Sequence, residues 1–332
     1  MNTQRAIVLI RRPIGILTDD DFETRIVPVA PPRDDQVLVR VKLLSIDPYL
    51  RTIMDEAPLV GRSLPLGSVI PGRGIGEIIQ SRAAQWKPGQ LVSGEFGWQE
   101  MACVDANALR NVSSSVHPPS WHLGVLGMPG ATALIALELI GRPKENESIL
   151  VTSAAGTVGS AVGQIAKALG CRTFGTAGPE KLEICVKTFG FDHCFDRHSL
   201  QGVRAELAAV TDGIDILFDN VGDEWLTSAL SMMKPDGRVI LCGRLAHYDR
   251  PKEVRESDQA FKTILLGRLC VQGFNIRDHA ARFEAAFQKL VALADRGLLK
   301  QIDSACRGLE GAPGALRDLL AGRHVGKVVV EI

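Results

Sequence analysis

Residues 148–178 constrain the fold more than any other stretch, because they predict a strand, a tight turn and a helix in immediate succession. The apolar run at 149–151 is typical of a parallel strand that is covered on both faces. After the turn, apolar residues recur on one face of a helix, at Val158, Ala161, Val162, Ile165 and Leu169. Gly170 is expected to end this helix, and residues 171–176 are predicted to form the next parallel strand.

The turn at residues 154–159 is a variant of the fingerprint that binds dinucleotides. Ala154 takes the first glycine position, and Gly156 and Gly159 take the next two. In such turns the second glycine lets the backbone approach a pyrophosphate, and the third lets the helix pack closely on the strand. The helix N-terminus offers N–H groups and partial positive charge to the phosphates. A purely structural turn is the alternative, but the strand–turn–helix setting favours a cofactor site.

The tip of the second strand indicates which nicotinamide cofactor is bound. An NAD-binding unit usually carries an acidic residue about 20 positions further on, where it holds the ribose 2′-hydroxyl. No acid stands at the strand tip in this chain, and Glu180 follows a little later beside Lys181. Lys181 and Arg197 are cations that could meet a 2′-phosphate, which favours NADP(H). The alternative is that Lys181 is an ordinary solvated lysine.

Composition argues against several classes of function. The 332 residues include 38 Lys and Arg against 38 Asp and Glu, so no basic excess indicates a nucleic acid or membrane partner. We expect no signal peptide and no membrane span, because no apolar stretch is long enough. The seven cysteines are scattered and form no Cys-x-x-Cys pair, which is typical of reduced thiols in a cytoplasmic protein.

The chain is predicted to be an α/β protein with two domains. Residues 1–122 contain short strands at 6–10 and 36–43 and a glycine-rich segment at 71–79. The glycines indicate a bent strand that another backbone approaches closely. Many short strands separated by turns predict a small distorted barrel for this domain.

The second predicted domain, at residues 123–298, binds the nucleotide. Strands and helices alternate along it, which predicts a doubly wound parallel sheet with helices on both faces. The expected elements after the fingerprint are helices at 181–189, 200–210 and 225–233 and strands at 192–195, 215–218 and 238–242. Residues 299–332 are assigned back to the first domain, because the final strand at 327–332 has no place in the nucleotide sheet.

Several segments together carry a resemblance to a known family. They are residues 45–51, 94–100, 126–133, 218–222, 242–248, 272–274 and 326–327, together with the fingerprint unit. The chain resembles the zinc-independent branch of the medium-chain dehydrogenase/reductase superfamily, which includes prostaglandin, alkenal and bacterial curcumin reductases. The resemblance implies a GroES-like domain, a Rossmann domain, a homodimer and an NADPH-dependent reductase. The expected substrate is an α,β-unsaturated ketone or aldehyde, whose C=C bond is saturated.

This resemblance also implies roles for individual residues. Tyr248 would donate a hydrogen bond to the substrate carbonyl, and Tyr49 and Met101 would line the substrate pocket. Phe274 and Asn275 would lie where a partner subunit approaches. The residues expected at the cofactor are Pro48, Met128, Thr132, Gly156, Thr157, Val158, Gly159, Gly178, Lys181, Arg197, Asn220, Val221, Cys242, Gly243, Tyr248, Phe274, Asn275, His324 and Gly326.

Each of these roles has a plainer alternative. Tyr248 is otherwise a surface-loop tyrosine, Tyr49 a core aromatic and Asn220 an ordinary turn asparagine. Met128 and Thr132 could equally belong to the core. The chemistry itself needs little acid–base machinery. Hydride adds to the β-carbon, and negative charge collects on the carbonyl oxygen, where a phenol that is neutral at pH 7 is a suitable donor.

The chain departs from the family pattern at four places. The loop at 177–181 is one residue shorter than usual, which affects the reach of Lys181. Arg197 replaces a tyrosine beside the adenosine phosphate, and it could bind phosphate or pair with Asp196. His324 replaces an asparagine near the nicotinamide, and Met101 replaces an aromatic. The last two changes could alter substrate shape and cofactor binding.

A metal centre and a hydrolase site are not expected. Residues 71–77 lack the histidine of the zinc-binding branch, and no four-cysteine lobe is present. His193 and Cys194 fall on opposite faces of a strand, so a shared metal is not expected. No Gly-x-Ser-x-Gly elbow occurs. Two other hypotheses stay open, namely a quinone oxidoreductase of the same superfamily and a non-catalytic NADPH-binding protein.

Overall fold

The computed structural model describes residues 3–58, 61–113, 115–248 and 258–332. Within them the chain forms two compact units. The first contains the residues up to Leu123, Tyr248 and the C-terminal segment Asp303–Ile332, and the second contains Gly124–His247 and the described residues from 258 to Ile302.

The strands and helices are numbered in chain order. The strands are β1 (Thr3–Leu9), β2 (Phe22–Pro28), β3 (Gln36–Ser45), β4 (Arg73–Ser81), β5 (Leu91–Glu95), β6 (Met101–Asp105), β7 (Arg110–Asn111), β8 (Ser148–Val151), β9 (Arg172–Ala177), β10 (His193–Asp196), β11 (Ile214–Asp219), β12 (Met233–Leu241), β13 (Cys270–Gly273), β14 (Asp303–Arg307) and β15 (Lys327–Glu331). The α-helices are α1 (Tyr49–Ile53), α2 (Met128–Ala136), α3 (Thr157–Ala168), α4 (Leu182–Lys187), α5 (Leu200–Val210), α6 (Asp223–Leu230), α7 (Asp258–Gly267), α8 (Phe283–Asp295) and α9 (Ala312–Leu320).

The first unit is the barrel-like one. Its main sheet runs in the order β14-β15-β3-β4-β5-β7, with β6 also paired to β3, and β1 and β2 form a separate antiparallel pair. The bend expected at the glycine-rich segment lies in β4. A Cβ on Gly74 or Gly76 would lie 2.7 Å from a carbonyl oxygen of β3, so only glycine lets the two backbones pass this closely. The terminal strand β15 pairs with β3 and β14.

The second unit is the doubly wound sheet. All six strands are parallel in the order β10-β9-β8-β11-β12-β13, so the order reverses between β8 and β11. Every residue of β8 is buried, which explains the apolar run at 149–151. Close packing of α3 depends on Gly163, whose Cβ would lie 2.1 Å from the ring of Phe191. The predicted α/β class is therefore confirmed.

Two sequence expectations were wrong in detail. Leu169 was placed on the buried face of α3, but it follows the end of that helix and is 49% exposed. The predicted helix at 225–233 ends at Leu230 instead, because Met233 already begins β12 and pairs with Ile214. Gly170 ends α3 as expected, with a positive φ of 83°. None of the helices in the described part of the chain is long and apolar enough to cross a membrane.

Candidate functional site

Most of the predicted cofactor residues lie at one edge of the second unit. Parallel strands place their carboxyl ends at the same edge, and this is where ligands bind in sheets of this kind. The residues that follow the ends of successive strands are Gly156, Thr157, Val158 and Gly159 after β8, Gly178 and Lys181 after β9, Arg197 after β10, Asn220 and Val221 after β11, Cys242 and Gly243 after β12, and Phe274 and Asn275 after β13. The edge therefore gathers residues that are far apart in the sequence.

The turn after β8 is built to bring the backbone close to the start of α3. Ser153 adopts a positive φ of 56°, and its carbonyl accepts a hydrogen bond from Gly156 N at 3.0 Å. A Cβ on Gly159 would lie only 2.2 Å from Ser153 O, so this position cannot hold a side chain without moving the turn. Helix α3 begins at Thr157, and no side chain within the described residues caps it at Gly156. Its first N–H groups are thus the kind that bind phosphate.

Two cationic side chains, Lys181 and Arg197, follow the ends of strands β9 and β10. Lys181 is 6% exposed, and its Nζ lies 3.5 Å from the exposed carboxylate of Glu180. Burial lowers the pKa of Lys181, the nearby charge of Arg197 lowers it further, and Glu180 acts in the opposite direction. The main chain of Arg197 is fixed because its N–H donates to Ala177 O and its carbonyl accepts from Trp225 Nε1. An anion bound between the two cations would relieve their repulsion.

A buried polar network lies where the strand order reverses, and the sequence analysis did not identify it. Thr152 and Asp219 are almost fully buried, and the Thr152 hydroxyl donates to Asp219 Oδ1 at 2.8 Å. The Asn220 side-chain amide donates to Thr152 O at 2.8 Å. Burial raises the pKa of Asp219. The available signal was a polar residue at the end of each of two apolar strands, Thr152 after β8 and Asp219 in β11.

The loop after β12 lies directly against the loop after β11. Cys242 N and Gly243 N donate to Asp219 O at 2.9 and 3.2 Å. A Cβ on Gly243 would lie 2.6 Å from Asn220 O, so the two backbones touch. Burial, and secondarily the nearby Asp219, raises the pKa of the half-buried Cys242 to about 12, so this thiol is protonated at neutral pH.

The remaining predicted residues of the second unit have local partners. Thr132 is buried and donates its hydroxyl to Met128 O at 2.8 Å, within α2. Phe274 N donates to Leu241 O, and its ring stacks on His279 with centroids 5.0 Å apart. Asn275 caps the following 3-10 helix by accepting a hydrogen bond from Arg277 N at 3.2 Å.

A buried ion pair lies directly before helix α1 in the first unit. Lys327 is 1% exposed, and its Nζ donates to Asp47 Oδ1 at 2.7 Å and to Ile46 O at 3.1 Å. Pro48 follows as the residue before α1, and Tyr49 is its first residue. Tyr49 is half-buried and packs against the core of this unit. Residues 326–327 carry part of the family resemblance, but the sequence alone predicted no role for Lys327.

The other predicted residues of the first unit are spread along its chain. Met101 begins β6, is half-buried, and donates from its backbone N–H to Gln4 Oε1 at 2.5 Å. His324 is half-buried, and Gly326 has a positive φ of 68° directly before β15. Tyr248 is half-buried and groups with this unit, although it directly follows the 3-10 turn Leu245–His247 of the second unit.

A dinucleotide with a 2′-phosphate fits the carboxyl edge of the second unit. The glycine turn has no room for a side chain at Gly159, and Lys181 and Arg197 converge at the neighbouring strand tips. No group of three or more His, Cys, Asp or Glu side chains in the described ranges is arranged to hold a metal ion. His193 contacts Glu206 while Cys194 is buried beside Cys185, so these two neighbours have different surroundings, as strand alternation predicts.

Comparisons with known proteins agree with this architecture. Residues 5–112 match the family described as the N-terminal domain of oxidoreductase, and residues 157–295 match the family described as zinc-binding dehydrogenase. The NADPH-dependent curcumin reductase of Escherichia coli is 34% identical over 99% of this chain and 96% of its own length. The NADP(+)-dependent 2-alkenal reductase of Nicotiana tabacum is 32% identical over 99% and 98%. The crystal structure of CurA in complex with NADPH from Vibrio vulnificus has a TM-score of 0.92, with 32% identity over 98% of both chains.

Proposed function

This chain belongs to the zinc-independent branch of the medium-chain dehydrogenase/reductase superfamily, and on that premise we propose that it uses NADPH to reduce the C=C bond of α,β-unsaturated ketones and aldehydes. The observation that carries the proposal is the cation pair Lys181 and Arg197, which lies where an NAD enzyme usually has an acid. Near full-length likeness to an alkenal reductase and a curcumin reductase supports the substrate class.

We assign the cofactor to the carboxyl edge of the second unit. Main-chain N–H groups at residues 157–159 would bind the pyrophosphate at the start of α3, and the absence of a side chain at Gly156 and Gly159 lets the phosphates approach the turn. Lys181 and Arg197 would bind the 2′-phosphate through charge-assisted hydrogen bonds. The ribose and the nicotinamide would lie against residues 220–221 and 242–243, beside the point where the strand order reverses.

The chemistry that the cofactor supplies when bound is hydride for the β-carbon of the substrate. The protein then has to orient the enone and stabilise the negative charge that collects on its carbonyl oxygen. We assign that hydrogen bond to Tyr248, because a phenol is a suitable hydrogen-bond donor with a reference pKa of about 10. By the family resemblance, Tyr49 and Met101 would line the substrate pocket, and Pro48, His324 and Gly326 would contact the cofactor.

The first test is the oxidation of NADPH, followed by the loss of its near-ultraviolet absorbance. Medium-chain 2-alkenals, aryl enones and a simple quinone are offered side by side, with NADH as the cofactor control. We expect turnover with the enones, a saturated carbonyl product and a preference for NADPH. Turnover with the quinone alone would instead support the quinone oxidoreductase hypothesis, and NADPH binding without any turnover would support the non-catalytic one.

The role of Tyr248 has its own test. In Tyr248→Phe we expect kcat to fall by at least about tenfold, since one stabilising hydrogen bond is lost in the transition state. The Kd for NADPH should stay within about twofold, because the hydroxyl is assigned to the substrate. Tyr49→Phe is the matched control, since these are the only two tyrosines in the sequence. Equal kcat values for Tyr248→Phe and the wild-type protein would remove Tyr248 from the reaction.

We also propose that two copies of the chain pair along the edge of the second unit. Strand β13 pairs only with β12 among the described residues, and three of its four residues are exposed. The neighbouring α7 exposes Phe261, Leu265 and Leu266. Exposed edge strands and contiguous apolar surface are features that oligomers cover. A symmetric pair would join β13 to its copy and bury α7.

Light scattering after size-exclusion chromatography tests this arrangement. We expect a dimer for the wild-type protein and a monomer for Leu265→Asp. Ile14→Asp is the matched control, because Ile14 is an apolar residue of the first unit that is even more exposed than Leu265, 98% against 76%. A dimeric Leu265→Asp variant would place the interface elsewhere.

We further propose that the protein works in the cytoplasm. All seven cysteines lie within the described residues and are free, which is typical of a reducing compartment.

A further inference from the structure

The side chain of Asp219 is buried without a cationic partner among the described residues. It is 1% exposed and accepts hydrogen bonds from Thr152 Oγ1 at 2.8 Å, Gly222 N at 2.9 Å and Val221 N at 3.3 Å. Within the described ranges, no Lys, Arg or His side chain forms an ion pair with the Asp219 carboxylate. Burying a carboxylate is costly unless its oxygens are fully hydrogen-bonded. Two of the three donors to the Asp219 carboxylate are main-chain N–H groups of the turn at 220–222, so the carboxylate fixes that turn.

The main chain at Asp219 supports a second loop. Its carbonyl accepts from Cys242 N and Gly243 N, beyond the last ladder pair between β11 and β12. The same alignment continues along the two loops, where Leu245 N donates to Asn220 O at 3.2 Å and Ala246 N donates to Val221 O at 3.1 Å. Four backbone hydrogen bonds thus attach residues 242–246 to residues 219–221.

Thr152 adds the third loop, which follows β8. Its hydroxyl donates to Asp219 and accepts from Asn220 N at 2.8 Å, so one oxygen joins the carboxylate to the next amide. The Asn220 amide returns a hydrogen bond to Thr152 O. The loops after β8, β11 and β12 are therefore joined in one hydrogen-bonded unit, and Tyr248 follows two residues after its last member, Ala246.

We propose that Asp219 is a positioning residue, which fixes the loop at 220–222 and through it the loop at 242–246 that leads into Tyr248. The proposal rests on the proposed function for its catalytic consequence, but its structural content is independent of turnover. Loss of the carboxylate would leave the turn without its acceptors, and the attached loop would move with the turn. Misplacement of a reacting group by about 1 Å can cost a large factor in rate.

Two sets of variants test the role of Asp219. Asp219→Asn replaces one oxygen with an amide group that faces a donor, either the Thr152 hydroxyl or Gly222 N. Thr152→Val removes the linking hydroxyl, and Thr152→Ser restores it. Asp215→Asn is the matched control, because Asp215 lies at the opposite end of the same strand and accepts from Ser148 N.

The first readout is hydrogen exchange of the free protein, measured for peptides that cover residues 240–248 and 193–210. We expect faster exchange of the 240–248 peptide in Asp219→Asn and Thr152→Val, and wild-type exchange in Thr152→Ser and Asp215→Asn. The 193–210 peptide should be unchanged in all of them. Wild-type protection of 240–248 in both Asp219→Asn and Thr152→Val would overturn the proposal.

The second readout separates kcat from cofactor binding. We expect about a tenfold lower kcat on an enone in Asp219→Asn, with the Kd for NADPH, from fluorescence titration, within about threefold of wild type. A weaker Kd for NADPH with an unchanged kcat would overturn the proposal, because the residue would then serve cofactor binding alone. If Asp219→Asn does not fold, the Thr152→Val and Thr152→Ser pair decides the question. If the wild-type protein reduces no enone, the proposed function fails while the exchange result still decides whether Asp219 positions the loop.

Discussion

Lys327 in the first unit and Lys181 in the second are both buried, but their partners differ. Lys327 donates to a carboxylate and to a carbonyl at 2.7 and 3.1 Å, so the fold itself satisfies the charge. Lys181 has an exposed carboxylate 3.5 Å away and a second cation, Arg197, close enough to lower its pKa. A buried cation with close internal partners supports the structure. A buried cation beside another cation is suited to an anion from outside the chain.

The largest effect is expected from Lys327→Met. The variant removes the charged donor of Asp47 Oδ1 and of the Ile46 carbonyl, and it leaves the Asp47 carboxylate with the hydroxyl of Ser45 but no cation among the described residues. We expect the free energy of unfolding to fall by about 3 kcal/mol or more. Urea unfolding measures the change. Arg307→Ala is the control, because it removes an exposed ion pair with Glu331 on the adjacent strand, where a change below about 1 kcal/mol is expected. A change of similar size in both variants would contradict the structural role of Lys327.

Gly159→Ala should have the next largest effect. The added Cβ would meet Ser153 O at 2.2 Å, so the turn or the start of α3 has to shift. We expect a loss of about 1–3 kcal/mol in stability and at least about tenfold weaker NADPH binding. Gly311→Ala is the control, because its Cβ would meet nothing within 4 Å. Wild-type NADPH binding by Gly159→Ala would show that the turn does not hold the pyrophosphate.

Lys181→Met sharpens the contrast between the two lysines. It removes a buried cation whose pKa is lowered by burial and by the nearby Arg197, so stability should fall much less than in Lys327→Met. Binding of NADPH should weaken about tenfold, and NADH binding should not change, because only NADPH carries the 2′-phosphate. Fluorescence titration of both cofactors gives the ratio. A loss of stability like that of Lys327→Met would show that Lys181 is structural instead.

The smallest effect is a pH dependence. Because the pKa of Lys181 is lowered in the folded protein, the unfolded chain holds the proton more tightly, and deprotonation favours the folded state. Stability therefore gains a small contribution as the pH rises through the lowered pKa. The preference for NADPH over NADH should decline over the same range, with a midpoint below the ordinary lysine value of 10.5. The decline should be absent in Lys181→Met, and an equal decline in both proteins would assign it to another group.

The sequence predicted the local elements well where one periodic signal dominated. The run at 149–151 and the glycine after α3 were sufficient to place β8, α3 and β9, because strand burial and helix termination depend on neighbouring residues. Boundaries failed where tertiary pairing decided them. Met233 was predicted to be helical because the pattern before it is amphipathic, but pairing with Ile214 makes it the start of β12.

The candidate functional site was predicted only in part, because some of its residues follow a local pattern and others are brought together only by the fold. Residues that follow strand ends could be found, because parallel strands place those ends together at one edge. The link from Thr152 to Asp219 could not be found, since 67 residues separate them and a polar residue at a strand end does not indicate its partner. The same holds for Lys327 and Asp47, which are separated by 280 residues.

The sequence by itself determined the α/β class, the glycine turn and the cations that follow it, because hydrophobic period and backbone freedom are local properties. Only the tertiary structure decided which polar groups are buried together. Burial decides whether a charge is solvated, paired inside the fold or left for a ligand, and burial depends on residues from distant parts of the chain. For this reason Lys181 and Lys327 are both plain lysines in the sequence, and their different surroundings are visible only in the folded protein.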